Sequence, residues 1–142
     1  MSQAAGTRVA HLCRKVRVLI ADDHPVIRKI VSATLQAHPH FEVCGEAKNG
    51  AEAIEEAKKL RPDVVVLNVT MPVLNGFEAA REIRTSVPES AIVILSSNAD
   101  QGFVNEAKKL GVRAFVAKSK AGEELVKAVE SAVLGEDFTL VE

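Results

Sequence analysis

Apolar residues in this chain follow two periodicities, and their alternation carries the first structural inference. Residues 63–76, DVVVLNVTMPVLNG, hold the clearest case: Val64, Val65, Val66 and Leu67 stand together between Pro62 and the turn-rich MPVLNG. A short apolar run bounded by turn residues is how a strand buried on both faces reads. Residues 16–21 (VRVLIA), 91–95 (AIVIL) and 113–117 (RAFVA) read as strands too. Residues 41–47 (FEVCGEA) set Phe41 and Val43 against Glu42 and Cys44, the alternation of a sheet-edge strand.

Between these runs the apolar spacing becomes helical. Val26, Ile27, Ile30, Val31 and Leu35 follow Pro25, which suits a first helical turn. Ala53, Ile54, Ala57 and Leu60 follow Asn49 and Glu52, a plausible capping pair. Phe77, Ala80 and Ile83 follow Asn75 and Gly76, and Leu125, Val126, Val129, Ala132 and Val133 precede Gly135. The helix over residues 99–110 is the weakest, with a stripe of only Phe103, Val104, Ala107 and Leu110. Strands alternating with helices predict one α/β domain: a doubly wound, five-stranded parallel sheet with five helices on its two faces and right-handed crossovers. The domain is expected to cover residues 16–136, after a flexible leader at 1–15. Residues 137–142 are expected to be a tail or linker stub.

Composition narrows the class of partner. The chain has 142 residues, 47% hydrophobic and 26% charged, enough for one core. A net charge of −1 lacks the basic excess of a nucleic-acid binder, so no direct nucleic-acid binding is expected. Cys13 and Cys44 are too few for a disulfide scaffold and lack metal-ligand spacing, which fits reduced thiols in a cytoplasmic protein. No apolar run reaches the roughly 18–20 residues needed to span a bilayer, and no signal peptide is evident.

The chemistry gathers at strand ends. Asp22 and Asp23 follow the first strand, Asn68 ends the third, Ser96 follows the fourth and Lys118 the fifth. In a parallel sheet these ends share one edge, where open α/β folds place ligands. Adjacent carboxylates are hard oxygen ligands suited to Mg²⁺. A hydroxyl, an ammonium and loop amides are suited to the oxygens of a phosphoryl group. Singly, each residue has a duller explanation: the acids cap the next helix, Ser96 is a turn residue, Lys118 is a solvated charge. Their coincidence favours a site.

ADDHPVIR, DVVVLNVTMPVLNG, VILSS and GVRAFVAKS resemble the response-regulator receiver domain of two-component signalling, and ADDHP is closest to the NarL/LuxR-type subgroup. The likeness covers nearly the whole chain, from residue 16 to 136. It implies the flavodoxin-like strand order 2-1-3-4-5, known from the chemotaxis receiver and not read from the pattern above. It further implies that a histidine kinase or phosphotransfer protein phosphorylates an aspartate at the end of the third strand, with Mg²⁺ bridging it to the acids. On that likeness Asp23 is the direct metal ligand, Asp22 acts through water, and the Thr70 carbonyl is a third ligand. Ser96 and Lys118 contact the phosphoryl group, and Phe115 matches the aromatic switch position. The family's output face, made by the fourth helix, fifth strand and fifth helix, implies a homodimer surface. A DNA-binding segment would follow in NarL/LuxR proteins, and none follows in this sequence.

The departure is Asn68, which stands where the family has its phosphoacceptor aspartate. A carboxylate can attack phosphorus and become an acyl phosphate; a neutral amide oxygen cannot do so usefully. The change also removes one of three negative charges facing the cation, so weaker Mg²⁺ binding is expected. Unless Lys118 leans toward them, Asp22 and Asp23 repel with less compensation. An engineered substitution, a natural pseudo-receiver acting as an interaction module, and drift all remain open as origins of Asn68. The domain is expected to be a signalling module and not an enzyme. A small Mg²⁺ phosphohydrolase is the rival from another class, with Asp22 or Asp23 as nucleophile, but no insertion offers a lid.

Overall fold

The computed structural model describes residues 14–142, so most of the expected leader, Cys13 included, lies outside the described residues. The elements run β1 (Val16–Ala21), α1 (Pro25–Gln36), β2 (Phe41–Ala47), α2 (Gly50–Leu60), β3 (Val64–Asn68) and α3 (Gly76–Ser86). They continue with β4 (Ala91–Ser96), α4 (Gln101–Lys109), β5 (Ala114–Ala117), a 3-10 turn (Lys118–Lys120), α5 (Glu123–Val133) and β6 (Thr139–Val141). All neighbouring strands are parallel, in the order β2-β1-β3-β4-β5-β6.

Every residue of β3 is buried, as its unbroken apolar run requires, whereas β2 at the sheet edge keeps an exposed side. The helices divide between two cores. Side chains of α2, α3 and α4 pack on one face of the sheet with Leu19, Leu67, Ile94 and Phe115. Those of α1 and α5 pack on the other with Val18, Val66 and Val116. Local chemistry sets the helix starts. Asn75 and Glu78 form a reciprocal capping box: the Glu78 backbone N–H donates to Asn75 Oδ1 (2.9 Å) and the Asn75 N–H to Glu78 Oε1 (3.0 Å). Asn49 caps α2 in the same way, but the Glu52 carboxylate accepts from Lys48 N–H, one residue earlier than in a capping box.

Two expectations need correction. The sheet described here has six strands, not five, and residues 137–142 are not a free stub. Gly135, at φ +73°, reverses the chain after α5, and Thr139, Leu140 and Val141 pair with Ala114, Phe115 and Val116 of β5. Phe138 packs on the core beside α4, beneath Lys108 Nζ at 5.4 Å from the ring centroid. A three-residue strand behind a glycine and two acids is too short for periodicity to reveal. At the other terminus Arg14, assigned to the leader, is tied to the sheet by two bonds to Asp63 of 2.6 and 2.7 Å. Among the described residues no helix is long and apolar enough to cross a membrane.

Candidate functional site

Strand register assembles the site. Ala21 pairs with Leu67, Asn68 with Leu95, and Ser96 with Ala117. Asp22, Asn68, Ser96 and Lys118 therefore end their strands at one edge of the sheet, as the polar strand ends predict. The loop after β3 folds back over this edge. Gly76 N–H donates to Val69 O at 2.7 Å, and a Cβ on Gly76 would stand 2.2 Å from the Asn68 carbonyl oxygen, so only glycine fits.

Asp22 is 2% exposed. Its Oδ1 accepts from the His24 backbone N–H at 2.9 Å, and its Oδ2 lies 3.1 Å from Lys118 Nζ. That contact is an ion pair and not an aligned hydrogen bond, because no donor points along a lone pair of the buried Oδ2. Lys118 does lean toward the acids. Asp23 is half-buried, and its Oδ1 lies 3.2 Å from His24 Nδ1 and 3.3 Å from Asn68 Nδ2. Neither acid caps α1, whose N-cap is His24 with no side-chain bond.

Asn68 is 3% exposed. Its Nδ2 donates to the Thr70 carbonyl at 2.7 Å and reaches Asp23 Oδ1 at 3.3 Å. Both neighbours are acceptors, which places the amide nitrogen, not its oxygen, on that side. Ser96 is buried at the end of β4, and its hydroxyl is spent on the turn that follows, donating to Asn98 O (2.8 Å) and accepting from Asn98 N–H (3.0 Å). Phe115 is fully buried in the core shared with Val104 and Ala107 of α4.

Sequence reasoning missed two neighbours of the acids. His24 Nδ1 lies 3.2 Å from Asp22 Oδ1 as well as from Asp23, which makes Asp22, Asp23 and His24 a cluster of ligand-bearing side chains. The signal was its place directly after the pair. Arg28, one turn into α1, donates to the Asp22 carbonyl at 2.7 Å; nothing in the pattern marked it. Two carboxylates, an ammonium, an imidazole and a carboxamide thus share one pocket. It has the oxygen donors for a divalent cation but no carboxylate at the end of β3.

Residues 18–130 match the response regulator receiver domain family. The chain is 38% identical over 113 residues to the chemotaxis protein CheY of Thermotoga maritima, covering 80% of this chain and 93% of that protein. It is 36% identical over 122 residues to the transcriptional regulatory protein YxjL of Bacillus subtilis, covering 86% of this chain and 56% of the relative. It spans about half the length of the first curated relatives it matches, 51% to 56%. Among solved structures, the signal receiver domain of NarL from Mycobacterium tuberculosis superposes with a TM-score of 0.83 at 33% identity, over 87% of this chain and 99% of that one. A LuxR-family response regulator from Aurantimonas superposes equally well, at 0.83 and 31% identity, over 87% of this chain and 89% of that one. Parallel order, acid pair, strand-end lysine and these likenesses agree: the chain belongs to the response regulator receiver domain family, with NarL/LuxR-type regulators among its structural neighbours.

Proposed function

We propose that this receiver domain takes part in two-component signalling without an aspartyl phosphate, as a pseudo-receiver whose pocket is held closed by Asn68. The observation that carries the reading is the pair of contacts from Asn68 Nδ2 to Thr70 O and Asp23 Oδ1. These are two of the oxygens that would ligate Mg²⁺, so the amide satisfies acceptors that a cation otherwise would. Lys118 meanwhile balances Asp22.

The donor set still fits a divalent cation. Asp22 Oδ2 is a buried acceptor with no aligned donor, and Asp23 and the Thr70 carbonyl are hard oxygens beside it. Asp23 and the Thr70 carbonyl would hold Mg²⁺ directly and Asp22 through water, once the amide N–H withdraws. Bound there, Mg²⁺ would offset the charge of a phosphoryl group. Ser96 and Lys118 are the phosphoryl contacts of this scheme, and both are engaged elsewhere while Asn68 holds the pocket. Phe115 is the switch residue, and its burial supports a pocket held in one state.

The partners of this reading are proteins: a histidine kinase or phosphotransfer protein docking near the acid pocket, and a second copy through the face of α4, β5 and α5. The outer edge of β5 on that face is paired with β6, so a dimer there would include the chain's own C-terminal strand. Incubation with acetyl phosphate and Mg²⁺, followed by intact mass, tests the chemistry. Unmodified protein alongside a phosphorylated Asn68→Asp variant is the expected result; an acid-labile adduct on the peptide carrying Asn68 overturns it.

A further inference from the structure

At the end of the sheet opposite the acid pocket, where the strands begin, lies a cavity of about 480 Å³. Its apolar lining comes from Val16 and Ala91 at the starts of β1 and β4 and from Ala132 and Val133 at the end of α5. Its charged lining comprises Arg14, Arg84 and Arg113 together with Asp63 and Glu89.

The acids are already engaged. Both oxygens of Asp63 accept from Arg14, at 2.6 and 2.7 Å, and Oδ2 also accepts from Arg17 N–H at 2.8 Å. Glu89 is held by Arg61 at 2.7 Å. No hydrogen bond or ion pair engages the guanidinium of Arg84 or Arg113 among the described residues. Arg84 is seated by Gly111, at φ +80°, where a Cβ would stand 3.1 Å from Nε and 3.2 Å from Nη2. A last-turn arginine on α3 complements that helix's dipole, which accounts for Arg84 alone. It accounts neither for Arg113, on the threshold of a strand, nor for a cavity of mixed polar and apolar lining beside both.

We propose that this cavity binds a small organic carboxylate with a compact apolar body. Planar guanidinium forks match a carboxylate in two-point geometry, and Val16, Ala91 and Val133 supply the apolar contact. The volume falls within the roughly 300–1,000 Å³ usual for small-molecule pockets. A bare inorganic anion is the poorer guest, since it gains nothing from the apolar lining and meets the carbonyl ends of α3 and α5. An occupant would bridge the end of α3, the start of β5 and the end of α5. It would offer the domain an input that does not pass through Asn68. The site shares no residue with the acid pocket, so it stands or falls separately from the function proposed above.

The test is amide proton–nitrogen correlation spectroscopy of the full chain titrated with benzoate, with neutral benzamide and inorganic phosphate as comparators. Benzoate is expected to give saturable shifts at Val16, Ala91, Arg113 and Gly135, leaving Asp22 and Asn68 unmoved, and both comparators to give much smaller ones. An Arg84→Gln/Arg113→Gln double variant is expected to weaken benzoate by about tenfold or more, the size of one lost charge-assisted contact. Both side chains are exposed, so its melting temperature should stay close to that of the parent; if the double variant loses its fold, the single variants decide. Silence at those amides up to the solubility limit, shifts confined to residues 1–13, an equal response to benzamide, or unchanged affinity in the variants would overturn the proposal.

Discussion

The carboxamide nitrogen of Asn68 sits 2.7 Å from the Thr70 carbonyl oxygen, so the end of β3 is bonded to the loop that follows it by a neutral donor. An aspartate at this position can donate nothing to that carbonyl and places a third carboxylate beside Asp22 and Asp23. Without metal, Asn68→Asp is therefore expected to be less stable at neutral pH, by roughly 1–3 kcal/mol. Mg²⁺ then reverses the order of response. Melting temperature over a Mg²⁺ titration should rise more for the variant than for the parent, because charge and a ligand oxygen have been restored. Parallel curves would show that Asp23 and Thr70 are not the ligands.

Lys118 has one evident task in this pocket, countering a carboxylate that is 2% exposed. Lys118→Met keeps most of the side-chain volume but strands that charge. Removing one member of a buried pair costs up to about 3–5 kcal/mol. Because the lysine side chain keeps 18% exposure, about 2 kcal/mol is the fitting expectation. Adding Asp22→Asn should recover most of the loss, since the charge and the need for its partner vanish together. Chemical denaturation of the four proteins of this cycle measures the coupling, and additive losses would mean that the pair does not interact.

The strand-end constellation was legible because each of four parallel strands stops at a polar residue, and parallel register leaves those stops no other edge to share. What each group does there was less legible. Whether Ser96 faces the pocket or its own turn depends on a side-chain rotation that residue spacing does not encode, and the structure spends it on Asn98. The direction of Asn68 is likewise set by the Thr70 carbonyl, a backbone group that no side-chain pattern reports. Beyond the site, the helical stripe of α5 did not mark Glu130 as buried, yet it is fully enclosed with His40 Nε2 3.7 Å from its carboxylate. Strand β6 escaped because pairing with β5, not its own periodicity, makes it a strand.

Val73 adopts φ +70° in the loop carrying Thr70 and is 76% exposed. A β-branched residue in the left-handed region is strained, by about 1–3 kcal/mol, and here no burial offsets the cost. Val73→Gly relieves that strain against a glycine entropy cost of about 0.5–1 kcal/mol. A gain of about 1 kcal/mol is expected, with Val73→Asn intermediate. The urea midpoint measures it; a lower midpoint for the glycine variant would mean that the valine side chain contributes packing that its exposure conceals.

Acid stability should carry the mark of Asp63. Hydrogen bonding from Arg14, joined by the Arg17 N–H and both positive charges, holds its carboxyl below the ordinary 3.8 despite partial burial. The unfolded carboxyl therefore takes up its proton first as pH falls. The stabilisation is complete above pH 3.8 and is lost as pH drops from there through the folded value. Asp63→Asn should lower stability above pH 3.8, where that contribution is complete, and so flatten the acid limb of the stability profile, with the two proteins converging at low pH. Arg14 is 67% exposed, so high salt should shrink the effect. A profile whose acid limb ignores both changes would show that other carboxylates govern it.

Helix α4 buries only Val104 and Ala107 along its length, and Phe138 of the C-terminal segment packs against the same core. Local opening is easiest where few apolar contacts must be broken. Amides of α4 are therefore expected to exchange with solvent faster than those of β3, whose five residues are all buried. Truncation after Gly135 removes Phe138 and uncovers the outer edge of β5. It should cost about 1–2 kcal/mol of apolar burial and speed exchange further in α4 and β5 while sparing β1 and β2. Protection of α4 equal to that of β3 would remove it as the moving element, and exchange unaltered by truncation would mean that β6 rests on the sheet without bracing it.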